Sequence, residues 1–256
     1  MTESYERRQR GQDVKSRASR PNSMYSYCRV VGCGKPARAG TSDGLDTRFC
    51  RSHAEWYQRH GSPYKTSYKA KELNPYRQAA LLWIMYNPDN VWVKNSIQRV
   101  LGLYRSAGPH VEAFRLTGKL PRERAKAHWA RLREHSVDPR LPLAVWLAVE
   151  MVILDDPQAV KTDEYKQVQA AKVVHRMASG THKRWDQQRR GGRTRVVELH
   201  VYPRSRGRVL RYIGEDLEGA VELLADHHLE DVRAFKLERD KLGVFTGSPY
   251  PKGWSA

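Results

Sequence analysis

Apolar positions keep a helical period through the middle of this chain. Ala79, Leu82, Trp83 and Tyr86 recur at spacings of three and four, and Asn87-Pro88 closes the segment. Its start is placed near residue 73, with Pro75 in a first turn where proline is tolerated. A second helix is predicted from Val91 to Tyr104, with Val93, Ile97, Val100, Leu101 and Tyr104 on one side and Gly108-Pro109 beyond it. A third runs from Pro121 to His135. The most apolar stretch, Leu141 to Leu154, holds Pro142 and Glu150 and is too short to span a bilayer, so it reads as a buried core helix. After Asp155-Asp156-Pro157, a helix from Asp163 to Ser179 puts Tyr165, Val168, Ala171, Val174 and Met177 on one face.

The pattern changes near residue 194. Val196, Val197, Leu199, Val201 and Tyr202 form a β-rich run, and Val209, Leu210, Tyr212 and Ile213 form another. Arg204-Ser205-Arg206-Gly207 between them has turn chemistry, so these runs predict a β-hairpin. Glu215 to His228 then reads as a helix bearing Leu217, Ala220, Val221, Leu224 and Ala225. The expected fold is α+β, mainly α. It divides into a flexible basic arm (1–24), a small zinc-binding module (25–65), a helical middle region (66–190), a C-terminal β-hairpin plus helix (191–242) and a loose tail (243–256).

The module at 25–65 is inferred from chemistry. Cys28, Cys33, Cys50 and His53 read C-x4-C-x16-C-x2-H and use every cysteine of the 256-residue chain. Three thiolates and one imidazole make a closed tetrahedral set for structural Zn2+. An odd, clustered cysteine count argues against a disulfide framework and for a reducing cytoplasm. Gly32 allows a tight turn before the second ligand, and Arg51 to His60 is predicted to be a short helix stopped by Gly61 and Pro63. Met1 to Arg20 has no apolar core of the signal-peptide kind.

Charge points to the partner. The chain carries 46 Lys+Arg against 28 Asp+Glu, a net charge of +18. The excess is local. Between Lys172 and Arg211 lie twelve basic residues and two acidic ones, Asp186 and Glu198, whereas Gly214 to Gly243 holds nine acidic and four basic residues. Ten of the twelve are arginines, whose planar fork suits phosphates and guanine edges. A solvated charged face is the ordinary reading of such a run. The asymmetry and the hairpin setting favour nucleic acid, most of all double-stranded DNA. The candidate contacts are Lys183, Arg184, Arg189, Arg190, Arg193, Arg195, Arg204, Arg206, Arg208 and Arg211, with Arg51 and Arg59 added by the module's helix.

Gly32-Cys33, Pro36, Ala37-Arg38-Ala39, Phe49-Cys50, His53, Trp56-Tyr57, Arg59, Gly61 and Pro63, together with Cys28, resemble the short zinc module of phage and mobile-element proteins that often accompanies HNH homing endonucleases. The resemblance covers about forty residues and departs by a longer insert, Thr41 to Arg48. It implies zinc and a DNA-handling context, not cleavage. No HNH core follows. His227-His228 falls in an acidic, helical stretch, no histidine follows His200 at helical spacing, and His110, His128 and His135 stand alone.

Two further likenesses compete from Trp185 to His228. One is to the three-stranded sheet plus helix of AP2-type DNA-binding domains. The other is to a GIY-YIG nuclease half through Tyr212-Ile213-Gly214, which here lacks the arginine that nuclease needs early in the following helix. The expected function is zinc-containing DNA binding through the arginine-rich hairpin, with no membrane role. A metal-dependent endonuclease using residues among His175, His182, Asp186, Glu198 and His200, or an RNA-binding protein, remains the alternative.

Overall fold

A computed structural model describes residues 9, 12, 27–37, 48–178, 180–188, 194–245, 248–251 and 253–254. Among these are seven α-helices and one two-stranded antiparallel sheet, so the fold is α+β and mainly α. The helices are α1 (Arg51–His60), α2 (Ala70–Tyr86), α3 (Val91–Ser106), α4 (Pro121–Glu134), α5 (Arg140–Asp155), α6 (Asp163–His175) and α7 (Arg208–Asp240). A 3-10 turn, Ala113–Leu116, joins α3 to α4, and strands β1 (Thr181–Gln188) and β2 (Thr194–Val201) lie between α6 and α7. None of the described helices is long and apolar enough to cross a membrane.

Helix starts follow local chemistry. The Asn90 side chain accepts from the N–H groups of Trp92 and Val93 at 2.9 and 3.2 Å and caps α3, and Thr162 caps α6 in the same way. Pro121 occupies the first position of α4, where its missing N–H costs nothing. Helix α2 begins earlier than expected, at Ala70, where the Glu72 carboxylate accepts from the Lys69 N–H at 2.6 Å. Pro75 is therefore interior to α2 and not in its first turn.

The core is built around α5. Twelve of its sixteen residues are buried, including Leu143, Val145, Trp146, Leu147 and Met151, so it is apolar on nearly every side. Helices α2, α6 and α7 pack directly against it. The stripe Val209, Leu210, Ile213, Leu217, Ala220, Val221, Leu224 and Ala225 lays α7 across α2 to α6, within one continuous hydrophobic cluster. A second, much smaller cluster (Cys28, Val30, Phe49, Cys50, Ala54, Tyr57) belongs to the N-terminal module.

Three expectations are corrected. The segment Val209–Ile213 is the opening of α7, not a strand, and Arg204–Gly207 is not a hairpin turn. The positions Val209, Leu210, Ile213 and Leu217 also fit a helical face, and burial of that face on the core outweighs β-propensity. Gly207 sits at φ 72° and ψ −151°, a conformation essentially reserved for glycine. It sends the chain from the end of β2 into α7 while its N–H donates to the Gln58 carbonyl at 3.1 Å. The true hairpin is β1 with β2, paired from Thr181 with Val201 to Gln188 with Thr194, so its first strand falls inside the segment expected to be helical. With two strands and none at 209–213, neither the three-stranded AP2-like arrangement nor the GIY-YIG strand is present among the described residues.

The described part of the tail is docked. Tyr250 and Trp254 pack on the core, Gln78 donates to the Tyr250 carbonyl at 3.2 Å, and the Arg140 guanidinium lies 5.0 Å from the Trp254 ring centroid. The expected arm (1–24) lies outside the described residues apart from Gln9 and Gln12.

Candidate metal centre and nucleic-acid interface

Two chain segments bring the four metal-ligating candidates together. The first is a tight loop. Cys28 N–H donates to the Lys35 carbonyl and Cys33 N–H to the Val30 carbonyl, both at 2.9 Å, while Gly32 takes φ 78° at the turn. The second is the start of α1, where Cys50 is the N-cap and His53 lies one turn on. A C-x2-H pair at a helix start points both side chains the same way, because residues three apart share a face. Cys28 Sγ and Cys50 Sγ each lie 3.4 Å from His53 Nδ1, and Cys33 Sγ lies 3.9 Å from Cys50 Sγ. All four donor atoms fall within 4.8 Å of one another, and no disulfide joins the cysteines.

Those spacings suit a tetrahedral ion. Metal–sulfur bonds of about 2.3 Å and metal–nitrogen bonds of about 2.0–2.1 Å put the donors about 3.6–3.8 Å apart. The backbone N–H of Lys35 pulls the Cys33 thiol below its usual pKa, which favours the thiolate a metal needs, while burial pushes Cys28 up.

The module is bolted to the helical body through one buried cation. Arg211, 6 % exposed, donates to the Glu164 carboxylate of α6 and to the carbonyls of Tyr57, Gln58 and Gly207 at 3.1–3.3 Å. Its guanidinium lies 5.1 Å from the Tyr57 ring centroid, and the Tyr57 hydroxyl donates to the same Glu164. Burial and that carboxylate push the Tyr57 hydroxyl up to about 12. Arg211 therefore ties α1, α6 and α7 together and is not available to a phosphate. This corrects its place among the expected contacts.

The remaining candidates divide by location. Strands β1 and β2 form a ribbon whose residues are exposed or half-buried beyond Thr181. Its base is anchored. The Thr181 hydroxyl donates to Glu112 at 2.7 Å and accepts from the Ala113 N–H at 2.8 Å, and Lys183 pairs with Glu112 at 2.9 Å. Arg184 faces Glu198 at 3.8 Å, and Arg195 is exposed opposite Gln187. Trp185 stands opposite Val197 and is 45 % exposed. Arg189, Arg190 and Arg193 lie outside the described residues, between the two strands. Arg204 and Arg208 are exposed and Arg206 half-buried in the linker and first turn of α7. On α1, Arg51 is exposed and pairs with Glu55 at 3.4 Å, and Arg59 is exposed.

Among the described residues, the carboxylates of α7 that form ion pairs do so with Arg122, Lys166, His228, Arg233 and Lys236, not with the ribbon.

Lys172, Ser67 and His60 meet from three distant segments of the chain. Lys172 donates to Ser67 Oγ at 2.7 Å, and Ser67 Oγ lies 2.9 Å from His60 Nδ1. Burial, with Arg176 and Arg59 nearby, lowers Lys172 to about 8. Burial, with Lys172 and Arg59, lowers His60 to about 4. Deeper inside, His128 stacks on His175 with ring centroids 4.9 Å apart beside the buried Arg131, and burial keeps both histidines neutral. His175 is thus remote in kind from His182, Glu198 and His200, which do approach each other on the ribbon. Asp186 sits opposite Val196.

Compared with protein-family models, curated proteins and solved structures, the chain matches none.

Proposed function

We propose that this chain is a zinc-containing nucleic-acid-binding protein, with double-stranded DNA its preferred partner. The observation that carries the reading is the β1–β2 ribbon: two paired strands with both faces largely exposed, bearing Lys183, Arg184 and Arg195, and flanked by Arg204 and Arg208. A two-stranded ribbon has little stability without a surface to lie on. Eight residues per strand span about 26 Å, and the major groove of B-DNA admits such a ribbon. Arg195, Arg204 and Arg208, with Arg184 released from its exposed pair with Glu198, would neutralise phosphates and fix the register, and Trp185 shares one face of the ribbon with Arg195. The residues at Cys28, Cys33, Cys50 and His53 favour Zn2+, whose role would be structural: four protein ligands leave no open position for chemistry. The likeness of the module to those of phage and mobile-element DNA-handling proteins supports the same context.

Fluorescence anisotropy with duplex DNA, single-stranded DNA and RNA probes tests the reading. Binding through about four phosphate contacts should weaken by about 100-fold between 50 and 200 mM salt. The double substitution of Arg184→Ala and Arg195→Ala should weaken binding and flatten that slope. Binding that is indifferent to salt and to both substitutions would defeat the proposal, and a preference for RNA would redirect it.

A further inference from the structure

Histidine side chains face each other across the ribbon at one register position. His182 and His200 are directly opposite partners, so both imidazoles leave the same face. Their Nδ1 atoms lie 2.6 Å apart and their ring centroids 4.9 Å apart. The far nitrogen of His200, Nε2, faces Glu198 Oε2 at 3.4 Å on the same strand. A carboxylate on Nε2–H leaves Nδ1 as the lone-pair donor and holds the ring in place, which is how carboxylates orient metal-ligating histidines. Tyr202 lies edge-on to His182 at 5.3 Å and limits the other ring.

We propose that His182 Nδ1 and His200 Nδ1 form a second metal site that takes one imidazole-preferring divalent ion of the Zn2+, Ni2+ or Cu2+ class. An ion with bonds of about 2.0–2.1 Å needs its two nitrogens about 3.3–3.4 Å apart in a tetrahedral shell and about 2.9 Å apart at right angles, so the two rings must part by about 0.3–0.8 Å to admit it. Without metal, one proton is shared between the two nitrogens as an N–H···N hydrogen bond. The ion takes its place when His182 shifts that proton to its own Nε2, so neutral histidines release no net proton on binding. Both rings are exposed, which leaves the other coordination positions to water or to an anionic oxygen of a bound partner. The site differs in kind from the cysteine centre: it is open, two-liganded and on the surface, and it would clamp two strands that little else in the described structure covers.

The experiment is a Zn2+ titration of the full chain already carrying one equivalent of Zn2+, followed by calorimetry and by hydrogen exchange of the ribbon amides. A second equivalent should bind with a Kd on the order of micromolar, and exchange in β1 and β2 should slow. His182→Ala and His200→Ala should each abolish that equivalent while the first is retained, and Glu198→Gln should weaken it about tenfold. His182→Asn and His200→Asn repeat the test with a polar side chain, and helicity by circular dichroism checks folding. A single equivalent in the unaltered chain overturns the proposal. So does a second equivalent that persists in either histidine variant. No step involves nucleic acid, so failure here leaves the DNA-binding reading standing, and failure of that reading leaves this one.

Discussion

The helical body and the N-terminal module solve the same problem with different means. The body buries α5 on nearly every side and adds the long stripe of α7, so apolar burial alone closes its core. Among the described residues, the module's apolar cluster adds Val30, Phe49, Ala54 and Tyr57 to its cysteines, with Ala37 also buried, too little for a domain of its own. Four donor atoms lie within 4.8 Å of one another there, and a metal ion held by them would take over the work that a core does elsewhere. The contrast teaches where this protein is rigid by packing and where by coordination. The ribbon shows a third condition: its described residues form neither a core nor a closed metal centre, and its base is anchored at Thr181 and Lys183.

Removing the metal ligands tests the contrast most severely. Cys50→Ser or His53→Ala should unfold the module, since structural zinc supplies on the order of 10 kcal/mol of folding free energy. Limited proteolysis should then cut between residues 27 and 60, while circular dichroism keeps the signal of α2 to α7. Loss of the whole helical signal would mean that the two regions fold as one. In the body, Trp146→Ala should cost about 3–5 kcal/mol in denaturant unfolding, because the indole is fully buried. Metal content should remain at one equivalent.

Acid should act on the body in a definite direction. Burial lowers His175 to about 4, so it is neutral in the folded chain. Once unfolded, its pKa returns to about 6.5, and between these values the unfolded state binds the extra proton. Stability is therefore full above pH 6.5 and falls as pH drops toward 4, by up to about 3 kcal/mol for this group. His175→Gln should lose less stability than the unaltered chain over that range, as measured by chemical denaturation at pH 7 and pH 5. Equal losses would place the acid sensitivity elsewhere. The smallest expected effect is on the joint between the two regions. Arg211→Ala removes the cation paired with Glu164 and one donor from each of three carbonyls, while the Tyr57 hydroxyl still donates to Glu164 and the Gly207 N–H to Gln58; since Glu164 is also partly exposed, a cost of about 2 kcal/mol is expected, below that of a fully buried pair. Faster proteolysis near Gly61 at unchanged metal content would mark the joint.

The fit between sequence and structure follows the range of each signal. Asn90, Thr162 and Pro121 mark helix starts because a cap or a first-turn proline acts within three residues. The C-x4-C-x16-C-x2-H spacing marks the metal centre because ligand chemistry is written in residue type, and α1 completes it by local helix geometry. β1 was not legible: Thr181–Gln188 is polar, and its strand character comes from pairing with β2. Val209–Ile213 satisfies strand and helix patterns alike.

Arginine number alone also misled at one position. Arg208 and Arg211 are three residues apart on α7, yet one meets solvent and the other meets Glu164.

Residue type and spacing were thus enough to specify the mainly helical architecture, most helix boundaries and which four side chains could share a metal ion, since each of these is written in local pattern or in residue chemistry. Packing alone decided that Val209–Ile213 is helical, that Arg211 is a buried joint, and that His182 meets His200. Those outcomes depend on burial against α5 and α6 and on cross-strand register, which no local stretch of residues contains.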